Sequence, residues 1–139
     1  MPMDVTCALI EANGRVLAAR RAASAARGGL WEFPGGKIAS GETEAECLHR
    51  EIREELGAEV ELAERLPPVL YREPERTIRL IPFCCSLARG TPRPLVHERI
   101  QWLDGPGLLK LAWCPADRYV LRQYLLLRAP WLADRVEVI

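Results

Sequence analysis

Residues 30–60 read LWEFPGGKIASGETEAECLHREIREELGAEV, and the second half of this stretch has the pattern of an amphipathic helix. Thr43 followed by Glu46 forms the T-x-x-E pattern of a capping box, which marks the start of a helix. Gly57 comes directly after Leu56, at the position where a left-handed glycine commonly ends a helix. Between these signals an apolar stripe recurs with helical spacing at Ala45, Leu48, Ile52 and Leu56.

The same helix carries a cluster of acids. Glu51, Glu54 and Glu55 stand at i, i+3 and i+4 and therefore share one face. Each like-charge pair destabilises an isolated helix by roughly 0.2–0.5 kcal/mol, and Arg50 relieves only part of this repulsion by reaching Glu54 at i+4. Clustered carboxylate oxygens are the ligands that hard cations such as Mg²⁺ prefer. The pattern indicates a metal-binding face, with a solvated acidic surface as the alternative.

The glycine and acid positions of this stretch resemble the signature of the Nudix hydrolases. Gly36 is followed after five residues by Glu42, and after seven more by REIREELG at residues 50–57. The one departure is Ala58, where the family usually has a bulkier aliphatic side chain. The flanking WEFPGGK at residues 31–37 resembles the MutT-type branch, whose members hydrolyse nucleoside triphosphates.

The resemblance implies a metal site and the residues that act beside it. The family pattern implies that Mg²⁺, with Mn²⁺ as a substitute, is held by the Gly35 carbonyl, Glu51, Glu54, Glu55 and Glu98. Similar enzymes carry a glutamate shortly before a tryptophan, as Glu98 precedes Trp102 here, and use it as a metal ligand or as the base that deprotonates water. The base is therefore Glu98 or an acid of the helix such as Glu54, and Arg50 orients Glu51. A solvent-facing strand residue is the other reading of Glu98.

Three further positions correspond to nucleotide contacts in MutT-type enzymes. Arg21 matches a nucleotide-contacting arginine, and Phe33 matches a residue that lines the base pocket; an exposed arginine and a core phenylalanine are the alternatives. Asp117 stands in a P-A-D segment where enzymes that read oxidised purines have P-A-N. An ionised carboxylate only accepts hydrogen bonds, so it pairs with an exocyclic amine. This favours cytosine or adenine and resembles the CTP pyrophosphohydrolase side of the branch, although a plain helix-start acid also fits.

The implied activity is Mg²⁺-dependent hydrolysis of a (deoxy)nucleoside triphosphate to the monophosphate and pyrophosphate. Cytosine or damaged nucleotides are candidate substrates, which would place the protein in nucleotide pool cleansing. A nucleoside diphosphate linked to another group, such as ADP-ribose, is the alternative substrate. A non-catalytic nucleotide-sensing module is the third reading, but such a module would be expected to have lost acids that this chain retains.

Composition limits the remaining function classes. A chain of 139 residues suits one domain spanning residues 1–139, and its formal net charge of zero predicts no bulk attraction to nucleic acid or to an anionic membrane. Five cysteines without a CxxC pattern are typical of reduced, buried thiols in a cytoplasmic protein. The two histidines form no zinc pattern, and His97 is interpreted as a bystander. Monomer and homodimer both remain open.

Strands flanking one acidic helix, with a second helix near the end, predict an α/β fold: an α/β/α sandwich around a mixed sheet. Pro82 interrupts an apolar strand and indicates a bulge or an edge position. The tail from Trp131 to Ile139 is expected to add an edge strand or to pack on a partner. The predicted elements are strands over Asp4–Glu11, Arg15–Arg21, Glu59–Ala63, Val69–Arg72, Thr77–Leu87 and Val96–Asp104, a loop over Ala22–Gly29, and a helix from about Pro115 to Arg128.

Overall fold

A computed structural model describes residues 1–138 as one mixed sheet with helices on both of its faces. The strands are β1 (Met3–Ala12), β2 (Arg15–Arg20), β3 (Trp31–Glu32), β4 (Gly35–Lys37), β5 (Glu59–Arg65), β6 (Val69–Arg72), β7 (Thr77–Arg89) and β8 (Arg99–Leu103). The helices are α1 (Glu44–Leu56), α2 (Gly105–Leu108), α3 (Pro115–Arg128) and α4 (Pro130–Ala133). The predicted α/β/α arrangement is confirmed.

Strand β1 lies at the centre of the sheet. It pairs in parallel with β7 from Met3 to Glu11, while its other edge pairs antiparallel with β2 at one end and with β4 at the other. The turn between β1 and β2 is Asn13-Gly14, and both residues have positive φ angles of 52° and 73°, as a two-residue hairpin requires. The two strands separate after this hairpin and leave room for another segment between them.

Residues 31–37 fill the gap between β1 and β2. Strand β3 pairs with β2, β4 pairs with β1, and the Pro34 carbonyl between them accepts a hydrogen bond from the Ala8 amide at 2.8 Å. The Trp31 backbone also bonds the chain just before α3, donating to the Ala112 carbonyl at 2.9 Å and accepting from the Cys114 amide at 2.8 Å. One short segment thus joins both halves of the sheet to the entry of the last long helix.

The alternation of β1 side chains divides the interior into two cores. Ala8 and Ile10 face α1, which buries Leu48, Ile52 and Leu56 against them. Cys7 and Leu9 face the opposite core, where α3 contributes Val120, Leu121 and Leu125. Ala45, which the apolar stripe included, is exposed, and Cys47 is buried on α1 instead. All five cysteines are buried and free, as expected.

Pro82 lies inside β7, between β1 and β5, so the prediction of an edge position is wrong. The expected irregularity is present in the neighbouring strand, because the pairing of β5 with β7 shifts register between Leu62 and Arg65. The Pro82 carbonyl still accepts a hydrogen bond from the Leu66 amide at 2.8 Å. Pro82 therefore faces Leu66, in the break between β5 and β6, where no regular strand pairing requires its missing N–H.

The tail forms no edge strand over its described residues. Pro130 begins the short helix α4, and Leu132, Ala133 and Val136 are buried in the core beside α3. Ile139 lies outside the described residues.

Strand β8 begins at Arg99, so Glu98 precedes the strand in which it was expected. None of the helices within residues 1–138 combines the length and apolarity needed to span a membrane.

Both ends of α1 have the geometry that the sequence predicts. The Thr43 hydroxyl accepts from the Glu46 amide at 3.1 Å, and the Glu46 carboxylate accepts from the Thr43 amide at 2.9 Å. Gly57 has a φ of 65° and donates to the Arg53 carbonyl. These caps satisfy backbone groups that the helix itself leaves unpaired.

Thr43→Ala should lower the free energy of unfolding by about 1 kcal/mol, because the Glu46 amide loses its acceptor. Urea denaturation followed by circular dichroism measures this change. Thr43→Ser keeps a hydroxyl acceptor and should stay close to the wild-type value. Equal stability of Thr43→Ala and the wild type would show that the cap contributes nothing here.

Candidate active site

The Arg50 guanidinium is the centre of a group of acids on α1 and in the loop before it. Its Nε and Nη2 donate to both carboxylate oxygens of Glu42 at 2.7 and 2.9 Å. Its Nη1 donates to Glu51 and to Glu54, both at 2.8 Å, and Nη2 also reaches the Lys37 carbonyl at 3.2 Å. These hydrogen bonds raise the pKa of Arg50, and they lower the pKa of Glu42 to about 2. Arg50 therefore holds three carboxylates in fixed positions.

Gly36 provides the space that the Glu51 carboxylate occupies. A Cβ built on Gly36 would lie within 2.6 Å of Oε1 of Glu51, far closer than van der Waals contact allows. The neighbouring Gly35 is equally confined, because a Cβ there would meet the backbone of Thr6 and Cys7. The two glycines let the loop backbone approach both the central strand and the acidic helix.

Glu55 is the most enclosed acid of the helix cluster. Its Oε1 accepts a hydrogen bond from the Gly35 amide at 3.3 Å. Burial raises the pKa of Glu55 well above its ordinary value, and the adjacent Glu51 carboxylate raises it further. Crowding of like charges therefore contributes to this raised pKa, although burial is the larger cause. A carboxyl group in such surroundings needs a proton or a cation, so the donor set fits a hard divalent cation.

A second acidic group lies away from this helix. Among residues 1–138, one set of three potential ligand atoms within 4.8 Å of one another is found, in Glu11, Glu64 and Cys84. Arg128 donates to Glu11 at 2.9 Å and lies 2.9 Å from a Glu64 oxygen, and Tyr124 donates to Glu11 at 2.6 Å. The Arg128 guanidinium neutralises both of these acids, whereas Glu55 of the α1 cluster has no such donor among residues 1–138, so the α1 cluster remains the better place for a metal ion.

The acidic helix borders a cavity of about 420 Å³. Gly35 and Gly36 of β4 and Glu55 of α1 line one side of the cavity. Other lining residues come from β3 and the residue after it, from α3 and from three loops: Glu32, Phe33, Asp117, Arg21, Arg27, Glu73 and His97. The three predicted nucleotide contacts therefore share one cavity with the predicted metal ligands Gly35 and Glu55, whereas Glu51, Glu54 and Glu98 are not part of its lining.

Phe33 and Asp117 are joined directly in the buried part of this cavity. The Phe33 amide donates to Oδ2 of Asp117 at 2.9 Å, and the Phe33 ring stacks on Trp113 with centroids 4.6 Å apart. Asp117 is only 7% exposed, and burial raises its pKa to about 8, with nearby Glu32 adding to the effect. Asp117 is thus more than a helix-start acid, since it ties α3 to the segment that carries Phe33.

Arg21 lies at the cavity wall and is already paired. Its Nη1 donates to Oε1 of Glu32 at 3.0 Å, and its Nε donates to the Ala26 carbonyl at 2.6 Å. Glu32 was not singled out from the sequence, although it lies in the WEFPGGK motif beside Phe33. Neighbouring side chains of a strand point to opposite faces. Because Trp31 is buried in the core, Glu32 points away from it, and this alternation is the signal that could have identified Glu32.

The structure separates the predicted roles of Glu98 and His97. The Glu98 carboxylate is 44% exposed, lies 3.7 Å from Nε of Arg20, and does not belong to the lining of the described cavity. His97, expected to be a bystander, is the residue that enters the site. Its Nε2 lies 2.9 Å from Oε2 of Glu32 and 4.0 Å from Oε1 of Glu55. No local sequence pattern indicates this position, because a loop and not a regular element carries His97.

Comparison with known proteins decides the family. A family model described as the NUDIX domain matches residues 2–134. The chain belongs to the Nudix family. The predicted family is therefore confirmed, and with it the expectation that this protein is a Nudix hydrolase. Nudix hydrolases generally depend on a divalent metal ion, in agreement with the acids around Arg50.

Several relatives of this Nudix chain have names that refer to nucleotide substrates. It is 34% identical over 132 residues to CTP pyrophosphohydrolase of Escherichia coli K12, covering 95% of this chain and 98% of that protein. It is 38% identical over 106 residues to putative 8-oxo-dGTP diphosphatase 2 of Mycobacterium tuberculosis, covering 74% of each. The solution structure of the E. coli ORF135 protein superposes with a TM-score of 0.81 at 33% identity, covering 92% of this chain and 91% of that one.

Gly36→Ala should lower the kcat/KM of this Nudix protein by about 100-fold, because the new methyl group displaces the Glu51 carboxylate. The fold should survive, since the far end of a flexible side chain can move. Gly41→Ala is the matched control: its φ is +79°, but its Cβ would meet nothing within 4 Å. That control should cost about 1 kcal/mol of stability and retain activity. Equal kcat/KM of Gly36→Ala and Gly41→Ala would contradict a role of Gly36 in making room for the Glu51 carboxylate.

Asp117→Asn should alter the pH dependence of stability. The wild-type side chain titrates near pH 8 when folded and near its ordinary 3.8 when unfolded, so between these values the folded state binds the extra proton. The free energy of unfolding of the wild type should therefore fall relative to Asp117→Asn as pH rises through this window, by at most about 1.4 kcal/mol per unit. Urea titrations of both proteins measure the difference, and parallel curves would contradict a buried, protonated Asp117.

Proposed function

We propose that this chain hydrolyses a (deoxy)nucleoside triphosphate to the monophosphate and pyrophosphate, with Mg²⁺ as the preferred metal ion and Mn²⁺ as a substitute. The observation that carries this proposal is the single cavity that contains both the Phe33–Asp117 pair and the Glu55 end of the acidic helix. The names of the relatives, which refer to CTP and to 8-oxo-dGTP, support a triphosphate substrate. The whole of residues 1–139 would act as one catalytic domain.

Glu51, Glu54 and Glu55 would hold the metal ion, with the Gly35 carbonyl as a further oxygen ligand. The fit rests on the chemistry of the donors. Three carboxylates share one face of α1, and one of them, Glu55, is largely buried without a cationic hydrogen-bond donor in the described part of the chain. When bound, the ion would neutralise phosphate charge and lower the pKa of a coordinated water.

The protein side chains would supply orientation and proton transfer. Arg50 fixes Glu51 and Glu54 through the same Nη1, so both acids keep one arrangement before substrate enters. Glu54 is half exposed and can pass a proton to solvent, which suits the base that accepts it from the attacking water. Glu98 remains the alternative base; it would have to turn from Arg20 toward the cavity to serve.

Asp117 and Phe33 would select the nucleobase. Because the pKa of Asp117 is raised to about 8, the carboxyl group carries a proton near neutral pH and can donate as well as accept. A neutral carboxyl group matches the edge of cytosine or adenine, where a ring nitrogen accepts and the adjacent amine donates. Protonation of Asp117 therefore keeps the pairing with a cytosine or adenine edge possible, and Phe33, which stacks on Trp113, would line the wall beside it.

Mg²⁺ should raise the melting temperature of the protein by binding the folded state, with about 2.7 kcal/mol of stabilisation at 100 times its dissociation constant. Differential scanning fluorimetry in Mg²⁺, in Mn²⁺ and in NaCl of equal ionic strength measures this effect. Glu51→Gln should abolish the shift, whereas Glu64→Gln, in the second acidic group, should leave it unchanged. A melting temperature that neither metal moves would contradict the metal site.

A substrate panel with Mg²⁺ tests the function itself. The panel is CTP, dCTP, 5-methyl-dCTP, dGTP, 8-oxo-dGTP, dATP, 2-hydroxy-dATP and ADP-ribose, with products separated by chromatography. We expect monophosphate and pyrophosphate, most rapidly from a cytosine or adenine nucleotide, and no turnover by Glu54→Gln despite an unchanged melting temperature.

Each other outcome of the panel rejects a defined part of the proposal. A strong preference for 8-oxo-dGTP would contradict the role given to Asp117 but keep the reaction. Turnover of ADP-ribose alone would move the protein to the diphosphate class. Nucleotide binding without any turnover would favour the sensing module.

A further inference from the structure

The loop before β8 is fastened at both ends. The Arg93 and Leu95 amides donate to the Leu56 and Glu55 carbonyls at 2.9 and 3.1 Å, at the C-terminal end of α1. The Glu98 amide donates to the Arg20 carbonyl of β2 at 2.9 Å. His97 lies between these attachments, so the backbone that carries it is anchored both to the acidic helix and to the sheet.

The His97 imidazole points between two acids. Its side chain is 5% exposed; Nε2 lies 2.9 Å from Oε2 of Glu32 and 4.0 Å from Oε1 of Glu55. Nδ1 is buried and has no hydrogen-bond partner. A nitrogen that faces carboxylate oxygens must carry a hydrogen, and a second hydrogen on Nδ1 would be a buried donor without an acceptor. The hydrogen-bond geometry therefore assigns the neutral Nε2–H tautomer.

Glu32 is held on both of its oxygens. Arg21 donates to Oε1 at 3.0 Å, and His97 donates to Oε2 at 2.9 Å. Glu32 follows Trp31 in the short strand β3, and its carboxylate lines the cavity next to Phe33. The amide of Phe33 in turn bonds Asp117. Loss of the His97 donor would leave one Glu32 oxygen unpaired and facing the Glu55 carboxyl group.

We propose that His97 is a positioning residue that couples the nucleotide-binding wall of the cavity to the metal-binding helix: its Nε2–H fixes Glu32 and separates that carboxylate from Glu55. The inference rests on the proposed function, because both acids matter only if nucleotide and metal share this cavity. His97 itself transfers no proton in this scheme. Its loss should weaken nucleotide binding and metal activation together.

Three substitutions separate this role from simple packing. His97→Gln places an amide N–H near the position of Nε2, His97→Asn places one near Nδ1, and His97→Leu fills the space without a donor. We expect His97→Leu to raise KM about ten-fold or more, with a smaller change in kcat, since a lost hydrogen bond to a charged group has about this effect. The metal concentration for half-maximal activity should rise as well. His97→Gln should recover most of both losses, and His97→Asn should not.

His49→Gln is the matched control, because the chain has only two histidines and His49 lies outside the cavity. It should leave KM and the metal midpoint unchanged. In this variant His97 is the remaining histidine, so the imidazole signals in its long-range ¹H–¹⁵N spectra belong to His97. These signals should show the Nε2–H tautomer. Melting temperatures of all variants verify that each one folds.

The outcomes divide clearly. The inference would be overturned if His97→Leu had the same kcat, KM and metal midpoint as the wild type. It would also be overturned if His97→Gln recovered neither KM nor the metal midpoint relative to His97→Leu. An Nδ1–H tautomer in the wild type would overturn it independently of activity. If the wild type turns over nothing in the substrate panel, the proposed function fails instead, and the tautomer measurement still tests the His97 geometry.

Discussion

The hydrogen bonds of Arg50 are the constraint on which the arrangement of the acidic helix depends. One guanidinium bonds Glu42 in the loop and both Glu51 and Glu54 on α1, so like charges that would repel one another share a cation. Arg50 also donates to the Lys37 carbonyl, which fixes the helix to the end of β4. The acids can therefore crowd together in advance of any metal ion, and only the enclosed Glu55 remains without a positive partner that donates to it at hydrogen-bond distance.

The segment of residues 31–37 determines what faces those acids. It bridges the two halves of the sheet, and its backbone continues the hydrogen-bonding pattern into the entry of α3. Because the segment is held along its whole length, Phe33 and Glu32 take fixed positions on the cavity wall, and Asp117 is drawn to the Phe33 amide. Residues 31–37 thus supply Glu32 and Phe33 to one wall of the cavity and Gly35 and Gly36 to the wall beside α1, and His97 from a distant loop lies between Glu32 and Glu55.

Much of this architecture follows from interactions between near neighbours in the chain. The capping box of Thr43 and the left-handed Gly57 are found as expected, because each depends on a few consecutive residues. The contact between Arg50 and Glu54 follows from helical spacing alone. For Pro82 the same reasoning indicated an irregularity but not its place, since the break between β5 and β6 that faces Pro82 is set by the pairing of separate strands.

The sequence by itself therefore determined the family, the sandwich fold and the acidic face of α1, because motif spacing and helical periodicity are local properties. Only the tertiary structure decided which side chains surround the cavity beside that face. Burial by the surrounding structure gives Asp117 its raised pKa, and the loop fastened to α1 and β2 brings His97 to Glu32 while leaving Glu98 outside. These features depend on contacts between residues that are 65 or 84 positions apart, which no pattern within a single element can specify.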